Sequence, residues 1–248
     1  MKTIPAILAC LSAVSLLVAL APAQSKETTR ITDANFHKYA GTDQYAYRTK
    51  VDYIFEELDI KAGDIVVDIG AGDGWWSERL APLVGEKGIV HSAEVEQKLV
   101  DAMLEKFADT PNVKPLLCPY DGPGLPENSV DLAFISQVYH HFDMDARVDY
   151  LKGLREVVRP TGRLAIIEKH SDISARTKDH GSYPSHLTKV AEEAGWVMVR
   201  YELMPKTYHF MAIFAQRELF PAEPRRRRRR RGGEETLKLV RTPANGSR

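Results

Sequence analysis

The stretch Ile65 to Gly74, IVVDIGAGDG, limits what this chain can fold into more than any other. Its first half is a short β-branched run, of the kind buried on both faces of a parallel sheet. Gly70, Gly72 and Gly74 then permit a tight turn in which backbone N–H groups approach a ligand with no Cβ in the way. The following residues, Trp75 to Val84, read as a helix. A ligand seated on the turn would therefore meet unpaired N–H donors and the positive end of a helix dipole. Strand, glycine turn and helix in this order form a cradle for a nucleotide-like cofactor.

Around that unit the chain alternates strand and helix. Arg48 to Leu58 has helical spacing, with Val51, Ile54, Phe55 and Leu58 on one face. Strands are expected at Gly88 to Ala93, Val113 to Leu117, Val130 to Ser136 and Arg163 to Glu168, and helices at Val95 to Ala108 and Asp145 to Val158. Pro160 and Gly162 stop the second of these helices. His170 to Pro184 reads as a long polar loop facing the substrate, followed by a helix from Leu187 to Ala194. Two alternating runs close the pattern, Trp196 to Leu203 and Tyr208 to Gln216. They are too closely joined to be parallel, since a parallel crossover needs a dozen or more residues.

The ends have a different character. Residues 1–23 read as an export signal, with Lys2, an apolar run from Ala6 to Leu20 and Ala21-Pro22-Ala23 before Gln24; an uncleaved N-terminal membrane anchor is the other reading. Residues 24–34 form a polar, flexible lead-in, residues 35–217 the main domain, and residues 218–248 a disordered tail with seven consecutive arginines, Arg225 to Arg231. Formal net charge is zero, yet from Pro221 onward ten basic residues face three acidic ones, so a surplus of +7 in the tail balances −7 in residues 1–220. Such a tail is expected to touch an anionic surface rather than to recognise a specific nucleic acid, or to have no dedicated partner. With two cysteines, Cys10 in the apolar N-terminal segment and Cys118 after an apolar pair, neither a disulfide framework nor a thiolate metal site is available. No metal is expected.

Several residues can carry chemistry. Glu94 follows the second strand, twenty residues past Gly74, where a carboxylate can accept both ribose hydroxyls of an adenosine. The glycines read G-x-G-x-G, with Trp at position 75, which departs from the nicotinamide pattern. A second acid, Asp121, lies just past the third strand, placed to accept an adenine amino hydrogen. Tyr139-His140-His141-Phe142 follows the fourth strand, at the carboxyl edge where open α/β sheets place reactive groups. Either His140 or His141 can serve as a general base near neutral pH. Packing and cofactor contact are the alternative roles of that segment.

With these motifs in order, the chain resembles the class I S-adenosylmethionine-dependent methyltransferases, in their small-molecule branch, over about residues 35–217. Val67 to Gly74 looks like the first motif of that family and Glu94 like its ribose-binding acid. Asp121 followed by Leu125-Pro126-Glu127-Asn128-Ser129-Val130-Asp131 is similar to its acid-then-LP segment, and Leu151 to Gly162 to its helix and turn before the fifth strand. The Asp121-Gly122-Pro123-Gly124 turn departs from the pattern and leaves the aim of Asp121 less defined than that of Glu94.

The resemblance implies an α/β, Rossmann-like three-layer sandwich: a seven-stranded, mostly parallel sheet with an antiparallel last strand. It implies S-adenosylmethionine as cofactor and a small-molecule or lipid-like methyl acceptor with an O, N or C nucleophile. Gly70, Ala71, Gly72 and Gly74 would let backbone approach the methionine moiety, Asp68 would help hold its amino group, Glu94 the ribose and Asp121 the adenine. Trp75, Trp76 or Tyr39 would stack on the cation or adenine, with ordinary helix packing the other reading for the tryptophans. A non-catalytic adenosyl-ligand-binding protein of the same fold is the alternative, since export would separate the enzyme from a cytosolic cofactor. A nicotinamide oxidoreductase is disfavoured by the glycine spacing and by the missing hydride-site constellation.

Overall fold

A computed structural model describes residues 46–171, 181–204 and 207–220. The export or anchor segment, the polar lead-in, Tyr39, the central part of the polar loop and the arginine run lie outside the described residues. Strands β1 (Ile65–Ile69), β2 (Ile89–Glu94), β3 (Val113–Leu117), β4 (Val130–Ser136), β5 (Val158–Lys169), β6 (Trp196–Leu203) and β7 (His209–Gln216) form one sheet in the order β3-β2-β1-β4-β5-β7-β6. β1 to β5 pair in parallel, whereas β7 runs antiparallel to both of its neighbours, β5 and β6. This is the expected Rossmann-like sheet with one reversed strand.

Alternation along the central strands divides the core into two layers. Val66 of β1, with Leu132 and Phe134 of β4 and Ala165 and Ile167 of β5, packs with Ile54 and Leu58 of α1 (Val51–Leu58), Trp76, Leu80 and Ala81 of α2 (Trp75–Val84) and Met103 of α3 (Gln97–Lys106). Val67 and Ile69, with Ala133, Ile135, Leu164 and Ile166, pack with Leu151 and Leu154 of α4 (Arg147–Val157) and Leu187, Val190 and Ala191 of α5 (Pro184–Glu193). Both faces of the parallel strands are thus covered, which explains why β1 and β4 read as near-continuous apolar runs.

Two boundaries differ from the sequence reading. The helix expected from Arg48 begins as a 3-10 turn, Ala46–Lys50, and becomes α-helical at Val51. β5 starts at Val158, where the sequence suggests only a helix stop and a strand from Arg163. Val158 pairs with Val130, and regular pairing resumes at Arg163 opposite Leu132. The Gln216 side chain explains why this irregular start is held in the sheet: its Nε2 donates toward the carbonyls of Arg155, Val158 and Arg159 at 3.1, 2.8 and 3.2 Å. Those carbonyls leave the end of α4 and would otherwise lack partners.

Candidate functional site

Strand order reverses at β1, because the chain passes outward through β2 and β3 and then returns to place β4 on the other side of β1. Open α/β sheets bind ligands at such a switch point, beyond the carboxyl ends of the strands. There the structure has a cavity of about 970 Å³. Ile69 and Gly70 after β1, Glu94 to Glu96 after β2, Cys118 to Asp121 after β3 and Val138 with His141 to Asp143 after β4 line it, with Ala146, Asp149 and Tyr150 leading into and along α4. That volume lies at the upper end of small-molecule sites.

The glycine turn is built by hydrogen bonds to β2. Gly70 and Ala71 both donate their N–H to the carbonyl of Ala93, at 2.9 and 3.1 Å, and Gly72 donates to Glu94 Oε2 at 2.9 Å. Gly70, at φ 68°, must be glycine for a second reason: a Cβ there would lie 2.5 Å from a methyl of Val138. Gly72, at φ 58°, has nothing within 4 Å of the place a Cβ would take. Space beside a left-handed glycine, next to a buried carboxylate, is what a bound ligand requires. Gly74 caps α2 and lies under the Phe107 ring, and Ala71 is buried in the α1–α3 layer. Those two serve the turn from behind.

Glu94 is 7% exposed and lines the cavity. Besides Gly72 it accepts the N–H of Val95 at 2.7 Å and of Glu96 at 3.3 Å, both at Oε1. A carboxylate has about four lone-pair sites, so acceptor capacity remains for a ribose hydroxyl. Asp121 also lines the cavity, at an exposed position.

Asp68 does not line the cavity. It is 2% exposed, on the α1–α3 face of β1 beneath the turn, and its Oδ2 accepts from Ser77 Oγ at 2.7 Å. Ser92 Oγ donates in turn to Ser77 Oγ at 2.7 Å. Burial, only partly offset by the Ser77 hydrogen bond, raises the Asp68 carboxyl to about 7. Burial likewise raises the Cys118 thiol in the cavity wall to about 11, with the charge of Glu94 adding to it.

The tryptophans pack instead of facing the cavity. Trp76 is buried, with its ring edge-on to Phe134 at 5.1 Å, and the Trp75 ring lies against the guanidinium of Arg79 at 3.7 Å. Of the two residues expected to stack from these positions, neither is among those that line the site.

His140 and His141 part company on a 3-10 turn, Tyr139–His141. His141 faces the cavity. His140 turns toward β5, where its Nδ1 lies 2.8 Å from Glu168 Oε2 and its backbone N–H donates to Glu168 Oε1 at 3.3 Å. Arg147 braces the turn from α4, donating from Nη2 to the His140 carbonyl and from Nε to the Phe142 carbonyl, each at 3.2 Å. Gln137, just before the turn, holds a left-handed φ of 60°, and the Ser136 hydroxyl is buried without a hydrogen-bond partner. Strain and an orphaned hydroxyl at one strand end are features of functional edges. The sequence reading passed over Ser136, Gln137 and Glu168. A positive φ at a non-glycine residue and a buried carboxylate at the end of an apolar strand leave no local spacing to read.

Together the switch-point cavity, the open glycine and the buried acid after β2 define a Rossmann-like domain for a nucleotide cofactor. A family model described as a methyltransferase domain matches residues 66–162. Over 104 residues the chain is 35% identical to the ribosomal RNA small subunit methyltransferase A of Dehalococcoides mccartyi, covering 41% of this chain and 35% of that protein. Over 120 residues it is 26% identical to a ubiquinone/menaquinone biosynthesis C-methyltransferase of Paraburkholderia phymatum, covering 47% of each. The chain thus spans between a third and a half of the curated relatives it matches. A solved S-adenosylmethionine-dependent methyltransferase from Aquifex aeolicus superposes with a TM-score of 0.59 at 26% identity, over 75% of this chain and 98% of that one. The domain belongs to the class I S-adenosylmethionine-dependent methyltransferases, whose cofactor is S-adenosylmethionine.

Proposed function

We propose that this protein transfers a methyl group from S-adenosylmethionine to an O, N or C nucleophile of a small-molecule or lipid-like acceptor. The observation that carries this reading is the open face of Gly72 beside buried Glu94 at the mouth of the switch-point cavity. Glu94 is assigned the ribose hydroxyls, Asp121 the adenine amino group, the N–H-rich turn at Gly70 to Gly72 the methionine moiety, and Asp68 its ammonium from beneath. The cofactor supplies an activated methyl on a sulfonium. The protein's share is alignment, exclusion of water and proton acceptance by a histidine of the Tyr139–His141 turn, and alignment alone lowers such barriers by roughly 7–11 kcal/mol.

Relatives named for ribosomal RNA methylation raise a polyanionic acceptor as the alternative. The cavity wall argues against it. Five carboxylates line it, Glu94, Glu96, Asp121, Asp143 and Asp149, and no lysine or arginine does. RNA binding depends on the opposite charge. The same acidic wall suits a cofactor carrying a sulfonium and an ammonium. Export or membrane tethering through residues 1–23 is part of the proposal, and the arginine run is its contact with an anionic surface.

Titration of the purified protein with S-adenosylmethionine, S-adenosylhomocysteine and NAD tests the cofactor. Binding of the first two without the third is expected, and heat from NAD alone would overturn the reading. Transfer of label from methyl-labelled cofactor to a small-molecule fraction of a cell extract tests catalysis. Persistent binding without transfer would favour the alternative of a non-catalytic adenosyl-ligand-binding protein.

A further inference from the structure

The pairing of His140 with Glu168 goes beyond that assignment, although it rests on it. We propose that Glu168 is a positioning residue that holds His140 in the Nδ1–H tautomer, and that His140 Nε2 is the base that takes the acceptor's proton. The acceptor is then a protic nucleophile, a hydroxyl or an N–H group.

Glu168 is fully buried at the end of β5, and the His140 side chain is 8% exposed at the end of the adjacent β4. A carboxylate can only accept, so an imidazole nitrogen 2.8 Å from it carries a proton. The second contact, from the His140 N–H to the other carboxylate oxygen, fixes the backbone as well as the ring. Carboxylate, Nδ1–H and outward Nε2 form the arrangement in which a base is itself oriented by a third group. A carboxylate buried in an apolar sheet is costly and persists only when it is paired or hydrogen-bonded.

The groups around His140 are few and named. Glu168 approaches from β5, Arg147 reaches its carbonyl from α4, and the His141 ring, in the cavity wall, lies 4.0 Å from the His140 ring. In the step itself, the acceptor's electron pair forms the bond to the methyl carbon and its proton moves to Nε2. The methyl–sulfur bond breaks with its pair left on sulfur. Methylated acceptor, neutral thioether and an imidazolium result, and the imidazolium returns its proton to water. Glu168 stays ionised and offsets the charge formed on the ring.

The test uses ¹⁵N-histidine-labelled protein and long-range ¹H–¹⁵N correlation, with His140 assigned through His140→Gln. Without ligand, Nδ1–H and an unprotonated Nε2 are expected; an Nε2–H tautomer would overturn the proposal. Saturation with S-adenosylmethionine rather than S-adenosylhomocysteine adds one positive charge at the transfer site. It should lower the His140 titration midpoint by about half a pH unit or more. Equal midpoints would place His140 away from the reacting atoms and leave the dyad a packing device, a result independent of whether the cofactor binds at all. Glu168→Gln should abolish the tautomer preference while cofactor affinity stays within roughly twofold, and should slow methyl transfer by a factor of about 10² to 10⁴ where an acceptor fraction is in hand. An unchanged tautomer in that variant would equally overturn the role of Glu168. If it does not fold, the wild-type spectra decide.

Discussion

Glu94 Oε2 accepts the backbone N–H of Gly72 at 2.9 Å, so the acid after β2 and the second glycine after β1 are one structural unit. The carboxylate that faces the cofactor is also the strut that shapes the turn beneath it. Replacing it therefore acts twice. Glu94→Gln keeps the volume but sets an amide NH2 against one or more N–H donors, leaving buried donors without an acceptor at about 1–3 kcal/mol. We expect a lower Tm by differential scanning fluorimetry and a loss of S-adenosylmethionine affinity of at least tenfold by calorimetry. Unchanged affinity would show that the ribose lies elsewhere.

Gly70 and Gly72 separate the two duties of the turn. Alanine at 70 would drive its Cβ to 2.5 Å from Val138, whereas alanine at 72 meets open space and bears only the strain of a left-handed φ. That strain is about 1–2 kcal/mol. Gly70→Ala should thus lower Tm the more. Gly72→Ala should leave the fold largely intact yet weaken the cofactor by more than tenfold, because the empty volume is the ligand's. Equal losses of affinity and stability in Gly72→Ala would deny the cavity that use.

Asp68 makes the domain's stability depend on pH in a direction opposite to that of a salt-bridged acid. Burial raises its carboxyl to about 7, above the ordinary value near 4. Between those limits the folded state holds a proton that the unfolded chain has released, so stability falls as pH rises from about 4 to 7 and levels off above. Each unit of elevation corresponds to about 1.4 kcal/mol. Chemical denaturation across that range should show the decline in the wild type, and Asp68→Asn should flatten it. The assignment of Asp68 to the cofactor's ammonium adds a second readout: binding near pH 6 should release protons, seen as calorimetric heats that change with buffer ionisation enthalpy. Buffer-independent heats would remove the ammonium from Asp68.

The β1 turn, the acid at its twenty-residue spacing and the reversed closing strand were all legible in the sequence. Each rests on a short-range rule: glycine for backbone approach, alternation for a covered strand, a short connection for antiparallel pairing. What could not be read depends on partners far apart in the chain. Glu168 meets His140 across 28 residues, Gln216 reaches carbonyls nearly 60 residues away, and the Ser92–Ser77–Asp68 chain joins β2, α2 and β1. The tryptophans show the same limit from the other side. Their ring chemistry suits a cation or a base, and only the register of α2 on the sheet directs Trp76 onto Phe134 and Trp75 onto Arg79.

Cys118 offers a probe of the cavity that needs no knowledge of the acceptor. Its thiol lines the wall, is 7% exposed and is raised to about 11 by burial, with the charge of Glu94 adding to it. At pH 8 a thiol of that kind is ionised in only roughly one molecule in a thousand, against about a quarter for an ordinary cysteine, and the thiolate is the reactive form. Alkylation at Cys118, followed by peptide mass spectrometry, should therefore run about two orders of magnitude slower than for a free thiol. Saturating S-adenosylmethionine should slow it further, because the cofactor and Cys118 share one cavity with Glu94 at its other side. Fast labelling would contradict the burial of the thiol. Labelling at an unchanged rate with cofactor bound would place the adenosyl group outside this cavity.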